Sequence, residues 1–242
     1  MNRAPAPVET FNDLDGEVVN FFKVLREQKD ALLEQLAFTP YSRGEFITAL
    51  MPADGLSDLE RARRFFVRIR QVRTALPNAT PGRWGYVVQD SRHGMSIVVS
   101  RFYHALDKLA DVALRFQRAQ LESLPAIDLI SRYDSKDTLF YLDPPYTPDV
   151  CFVDYKHVMT LDQHRELIKA VRACIGKVAI SGYDNALYTE LLSGWHTTRA
   201  AHKNVWSSNG KERQEVLWTN YDPAAINPVS QLSLFDAVTA TA

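Results

Sequence analysis

The spacing of apolar residues changes several times along the 242-residue chain, and each change predicts an element. The stretch "PVETFND" predicts a short strand ending at Asp13. Val18, Phe22, Leu25, Leu32, Leu33 and Leu36 then recur at helical spacing through "GEVVNFFKVLREQKDALLEQLA", which predicts a helix directly after the strand. From "TPYSRGEF" to about Leu124 the pattern is mainly helical, broken by the Pro- and Gly-rich "LPNATPGRWG". "TLFYLD" reads as a buried strand, "LDQHRELIKAVRACIG" as a helix, "KVAISGY" as a strand and "NALYTELLSG" as a helix. "WHTTRA" and "QEVLWTNY" read as a closing antiparallel hairpin.

Alternating strands and helices predict an α/β sheet, here interrupted by a helical insertion. Residues 1–38 begin the core, 39–125 form the insertion, 126–221 resume the core, and 222–242 make a small, Pro-containing tail. With 46% hydrophobic and 24% charged residues the chain can bury a substantial core. Apolar runs such as Val18 to Leu25 stay well short of the roughly 20 residues a membrane span needs. The start "MNRAPAPVETFND" lacks the apolar region of a signal peptide. Cys151 and Cys174 have no second Cys or His at ligand spacing, so the expectation is a reduced, cytoplasmic protein without a zinc site or disulfide framework.

A net charge of −1 conceals a basic middle. From Arg61 to Arg118 eleven arginines and Lys108 face only Asp90, Asp107 and Asp111. Phe65, Phe66, Trp84, Tyr86, Phe102 and Tyr103 are interleaved with them, a mixture suited to phosphate contact and base stacking. A solvated helical face is the alternative. Arg64, Arg68, Arg70 and Arg73 are the candidate phosphate ligands.

The sharpest chemistry lies in "LFYLDPPYTPDV". Asp143, Pro144, Pro145 and Tyr146 follow a buried strand at its carboxyl end, where open α/β sheets bind ligands. Pro145 supplies no N–H, which leaves the Asp143 carboxylate and the Pro144 carbonyl as neighbouring acceptors for an NH2 group. Tyr146 adds a flat face for a base taken out of its stack. An ordinary turn is the competing reading.

These residues carry a resemblance that extends over most of the chain. "ETFNDLDGEVVNFFKVLR", "TPYSRGEF", "YDSKDTLFYLDPPY", "HVMTLDQHRELI", "GKVAISGYDNALYTELLSGW" and "RQEVLWTNY" occur in the order seen in the D12-class, DNA adenine methylase-like N6-adenine DNA methyltransferases, and the sequence resembles that family. The resemblance implies a Rossmann-like methyltransferase sheet with an inserted target-recognition subdomain. It also implies methyl transfer from S-adenosylmethionine to N6 of a flipped adenine in double-stranded DNA, without a metal or covalent intermediate. Asp143 and Pro144 would accept the N6 hydrogens, Pro145 would shape the turn and Tyr146 would stack on the base.

Asp13 matches the family's acid for the cofactor ribose, with helix capping as its alternative, a task for which Asp15 is better placed. Ser181 and Tyr183 in "SGYDN" are candidates for the substrate pocket, and "TPDVCFVDYKH" for a loop closing over the base. His164 is read as a surface or capping residue, and Trp195, Trp206 and Trp218 as packing.

The family's Phe-x-Gly-x-Gly turn for the methionine end of the cofactor has no counterpart, since the first glycine is Gly16. The sheet is accordingly expected to lack its first strand. Met1 is then expected to be an internal methionine, with a second polypeptide supplying the motif or a decayed copy as alternatives. In the tail, Gln231, Leu232, Leu234 and Phe235 of "QLSLF" match the pentapeptide with which bacterial DNA enzymes dock on the replication sliding clamp, and packing on the chain's own domain is the alternative. A non-catalytic DNA-binding or clamp-binding remnant is the rival to the enzyme reading, with RNA-adenine or cytosine-N4 methylation as lesser rivals.

Overall fold

The computed structural model describes residues 5–73, 83–147, 158–201 and 214–225. They form a mixed α/β protein of two compact units, one up to Pro125 and the other from Ala126 onward.

The first unit opens with β1 (Glu9–Asn12) and α1 (Gly16–Glu27). Asp15 caps α1, its carboxylate accepting from the Glu17 N–H at 3.0 Å. The single helix expected from periodicity is two: Gln28 leaves helical geometry at φ −133° and ψ 37°, and α2 (Lys29–Ala37) begins after it. Next come α3 (Arg43–Leu50), α4 (Asp58–Gln71), α5 (Ile97–Asp107) and α6 (Leu109–Phe116). Ser42, Ser57 and Ser96 cap α3, α4 and α5 through their hydroxyls.

Phe21, Leu25, Leu32, Leu36, Phe66 and Phe102 are buried together, each contributing about 1.5–3 kcal/mol by leaving water. Phe22 and Phe116 stack at 3.9 Å between ring centroids, and Phe11 of β1 meets both edge-on. Phe65, Phe66 and Phe102 therefore belong to the helical core or its margin and are not the base-stacking faces the sequence suggested.

Strands also occur where a helical insertion is expected. The sequence "AQLE" forms β4 (Ala119–Glu122), which pairs parallel to β1 in a two-stranded sheet. Beyond that pairing, the Asn12 side chain donates to the Leu124 carbonyl and accepts from the Leu124 N–H, at 3.1 and 2.9 Å. β2 (Ser91–Arg92) and β3 (Met95–Ser96) make a hairpin across His93 and Gly94, whose φ values of 52° and 75° give a two-residue turn of the type that matches strand twist.

The second unit has a four-stranded sheet of β5 (Leu139–Leu142), β6 (Lys177–Tyr183), β7 (His196–Arg199) and β8 (Glu215–Thr219), in the order β5-β6-β8-β7. β5 and β6 are parallel, and β8 runs antiparallel to both β6 and β7. The helices are α7 (Ala126–Tyr133), α8 (Leu161–Ala173) and α9 (Ala186–Leu191). A capping box starts α8, Thr160 and Gln163 each accepting from the other's backbone N–H.

Leu167, Ile168, Val171, Tyr188 and Leu192 pack in one cluster with Phe140, Val178, Ile180, Val216 and Trp218 of the strands. Because side chains alternate along a strand, Leu139, Tyr141, Ser181 and Tyr183 point to the opposite face. His164 is not a surface residue: it is fully buried, and its Nδ1 lies 3.0 Å from the Tyr188 hydroxyl. Trp218 is buried in the core and Trp195 packs against it, while Trp206 lies outside the described residues.

Candidate functional site

Asp143 follows β5 directly, and the parallel register brings β6 alongside it. Tyr141 is opposite Ala179, so Ser181 is its diagonal neighbour on the same face. The Tyr141 hydroxyl donates to Ser181 Oγ at 3.1 Å, and Ser181 Oγ lies 3.1 Å from Asp143 Oδ1 and 3.3 Å from the Leu142 carbonyl. The Tyr146 ring lies 4.4 Å from that of Tyr183, tilted by 42°. Tyr183 is in turn opposite Glu215 of β8. Asp143, Tyr146, Ser181 and Tyr183 are thus brought together at one end of the sheet.

The electrostatics of this cluster are distinctive. The Asp143 residue keeps solvent contact, but protein packed around its carboxyl removes part of its hydration and raises its pKa, an effect the Ser181 hydrogen bond opposes. Burial raises Glu215 as well, and the charge of Asp143 adds to the effect. Burial also raises the Tyr141 phenol. The site therefore holds two carboxyls, each raised by burial, with the charge of Asp143 adding to the rise of Glu215, beside the Ser181 hydroxyl and three tyrosines.

In the first unit, Asp13 follows β1 and its N–H donates to the Glu122 carbonyl at 3.3 Å. Its Oδ1 accepts from the Asp15 N–H at 2.8 Å, while Asp15 itself caps α1. The Asp13 carboxylate thus stands at a strand end just ahead of a helix N-terminus.

The four candidate arginines divide into pairs. Arg64 bonds to Glu60 at 2.8 Å, and Arg68 lies 3.5 Å from Glu17 while donating to the Ala49 carbonyl. Arg61 and Arg63 are likewise engaged, with Glu17 and Asp58, and with Glu60 and Glu45. Arg70 and Arg73 are exposed and have no carboxylate partner among the described residues.

Two further features of this unit escape a reading by composition. Arg43 lies over the Trp84 ring at 4.7 Å, and the Trp84 and Tyr86 rings stack at 6.0 Å with Tyr86 exposed. The hairpin turn presents Arg92 and His93 to solvent. A residue tolerant of positive φ followed by Gly, the "HG" of "SRHGMS", was the available signal for that turn.

The loop "TPDVCFVDYKH", apart from Thr147, and the peptide Gln231 to Phe235 lie outside the described residues. Among the described residues no group of three or more His, Cys, Asp or Glu is placed to hold a metal ion, and no helix is long and apolar enough to cross a membrane.

Asp-Pro-Pro-Tyr thus stands at the end of a parallel strand in a mixed α/β architecture. The family model of the D12 class N6 adenine-specific DNA methyltransferases matches residues 5–207, and the chain belongs to that family. Family membership supports S-adenosylmethionine-dependent adenine methylation as the general activity. Among curated proteins, none matches the sequence.

Proposed function

We propose that this protein transfers a methyl group to N6 of an adenine flipped out of a specific sequence in double-stranded DNA. The observation that carries the reading is the Asp143 carboxylate, hydrogen-bonded through Oδ1 to Ser181 at the end of β5, with the Tyr146 ring, three residues on, against Tyr183 of the same β6 strand. The exocyclic amine is a weak nucleophile because its lone pair is conjugated with the ring. Hydrogen bonds from N6 to Asp143 Oδ2 and the Pro144 carbonyl localise that lone pair and aim it. Tyr146 holds the base by its face, and Asp143 is positioned to take the proton released as the new C–N bond forms.

S-adenosylmethionine, when bound, supplies the electrophilic methyl group. Asp13 fits the ribose end of that molecule, because a carboxylate at a strand end before a helix accepts hydrogen bonds from hydroxyls. The methionine end calls for a glycine turn, and no glycine precedes Gly16 in the sequence. Transfer is therefore to be tested with and without a polypeptide that carries such a turn.

For DNA, the exposed Arg70 and Arg73 are the phosphate ligands, and the hairpin tip at Arg92 and His93 has the width of a two-stranded ribbon that enters a major groove. Arg64 and Arg68 contribute through the shape of α4. Gln231, Leu232, Leu234 and Phe235 are proposed to dock on a bacterial sliding clamp, which deletion of residues 231–235 would abolish in a surface-binding assay with purified clamp.

The test is methylation of DNA with labelled cofactor, with and without a polypeptide carrying the glycine turn, followed by digestion to nucleosides. N6-methyladenine is the expected product, lost in Asp143→Ala. N4-methylcytosine as the sole product would overturn the adenine assignment. Folded protein that binds DNA but no cofactor under either condition would establish the second reading, a non-catalytic DNA-binding or clamp-binding remnant.

A further inference from the structure

We infer that Tyr141 and Ser181 are positioning residues for Asp143: a directed pair of hydrogen bonds, Tyr141 Oη–H to Ser181 Oγ and Ser181 Oγ–H to Asp143 Oδ1, fixes one carboxylate oxygen and leaves Oδ2 to meet the substrate amine. The inference deepens the proposed function and, for its catalytic consequence, rests on it.

Direction follows from the inventory of protons. A serine hydroxyl has one hydrogen and two acceptor positions. Ser181 Oγ has three oxygen neighbours, namely the Tyr141 hydroxyl at 3.1 Å, Asp143 Oδ1 at 3.1 Å and the Leu142 carbonyl at 3.3 Å. An ionised carboxylate accepts more strongly than a neutral carbonyl and is here also the nearer of the two, so the serine proton goes to Asp143. With that proton committed, Ser181 can only accept from Tyr141, whose hydroxyl has its own hydrogen to give. Donation from the tyrosine polarises the serine hydroxyl and strengthens its bond to the carboxylate. Asp143 Oδ2 has no hydrogen-bond partner among the described residues.

The strand register makes the arrangement specific. Tyr141 and Ser181 share the open face of the sheet because each lies an even number of residues from its neighbours there, whereas Phe140 and Ile180 between them enter the core. Ser181 thus acts on the substrate through Asp143, a different role from lining the pocket directly. The carboxylate needs such a donor. Burial disfavours its ionised form, and an acid that held its proton would present one acceptor fewer to the amine.

The groups that face Asp143 are Tyr141 on its own strand, Ser181 and Tyr183 on β6, Glu215 on β8 and Tyr146 in the following turn. The experiment is a carboxyl 13C NMR titration of the full chain labelled at Asp Cγ, with Asp143→Asn identifying the resonance. Ser181→Ala is expected to raise the Asp143 midpoint by about one pH unit, since a hydrogen bond to the charged form is lost. Tyr141→Phe should raise it by less, and Ser181→Thr should leave it near the original value. The rise caused by Ser181→Ala should persist in a Glu215→Gln background.

A midpoint unchanged within about 0.2 units in folded Ser181→Ala would overturn the inference, being well below the shift that loss of such a bond gives. If that variant fails to fold, Ser181→Cys decides: a weak donor of similar size must give an intermediate rise, and no rise overturns the inference. In a methylating preparation Ser181→Ala should lower kcat with little change in KM for DNA. The titration needs neither cofactor nor DNA, so a failed methylation assay leaves it standing, and a failed titration leaves the adenine assignment to its own product analysis.

Discussion

Replacing Asn12 by Ala tests how the carboxyl ends of β1 and β4 are held together next to Asp13. The Asn12 amide substitutes for one further step of strand pairing, satisfying both the N–H and the carbonyl of Leu124. Each such hydrogen bond contributes about 0.5–1.5 kcal/mol net. Both groups are only half-buried, so water replaces part of what is lost, and the expected cost is about 1–2 kcal/mol. Hydrogen exchange offers a local assay: the Leu124 amide should exchange about five- to thirtyfold faster, as a penalty of that size implies. Asn12→Asp sharpens the test. A carboxylate still accepts from the Leu124 N–H but sets its second oxygen against the Leu124 carbonyl, so the variant should exchange faster than the parent at neutral pH and regain protection in acid, where a protonated carboxyl donates. Unchanged exchange at Leu124 in Asn12→Ala, or full protection in Asn12→Asp at neutral pH, would refute the clasp.

Other expectations are as direct. Tyr188→Phe removes a buried partner of His164 Nδ1 and should cost about 1–3 kcal/mol, read by urea unfolding; a double-mutant cycle with His164→Leu should show coupling above about 0.5 kcal/mol. Gly176→Ala would set a Cβ 2.8 Å from the Ser135 carbonyl and 3.0 Å from that of Thr138. The Asp134 carboxylate, bound to the Ile175 and Gly176 N–H groups, restricts any escape, so a loss of about 1–3 kcal/mol is expected from overpacking and should appear in the same unfolding assay. Asp143 has a native pKa raised by burial, so its contribution favours the fold in acid and is lost as pH rises through the native midpoint. Asp143→Asn should therefore raise the melting temperature at neutral pH, with the difference from the parent shrinking in acid. Glu60 behaves oppositely: Arg63 and Arg64 hold its pKa below the ordinary value, and its contribution is lost as pH falls through the native midpoint. Glu60→Gln should flatten the acid limb of stability against pH.

The parts of the fold visible in the sequence are those whose signals are local. Asp15 before Gly16, the Thr160–Gln163 box and the apolar runs around Phe140 and Ile180 act within a few residues, and the strand end at Asp143 follows from them. Features that depend on distant partners were not visible. "AQLE" becomes β4 only because β1, more than a hundred residues earlier, offers a parallel edge. Arg61 and Arg68 read as available cations because their partner Glu17 lies on another helix. The break at Gln28 has no Pro or Gly to announce it. His164 is a different kind of miss, since it shares a helical stripe with Leu167, Ile168 and Val171 and its burial could be counted from their spacing. Of the candidate site, residue types and strand ends were legible, whereas the bond from Ser181 to Asp143 required the register of β6 against β5.

Gly182 sits between Ser181 and Tyr183 and turns inward, where an added Cβ would come within 3.3 Å of the Trp218 ring. The middle residue of "SGY" is thereby answerable to the core and the outer two to the solvent-facing cluster. The two sides of one strand are thus constrained by different neighbours: residue 182 must stay small for as long as an indole lies behind it, while Ser181 answers to Asp143 and Tyr183 to the Tyr146 ring.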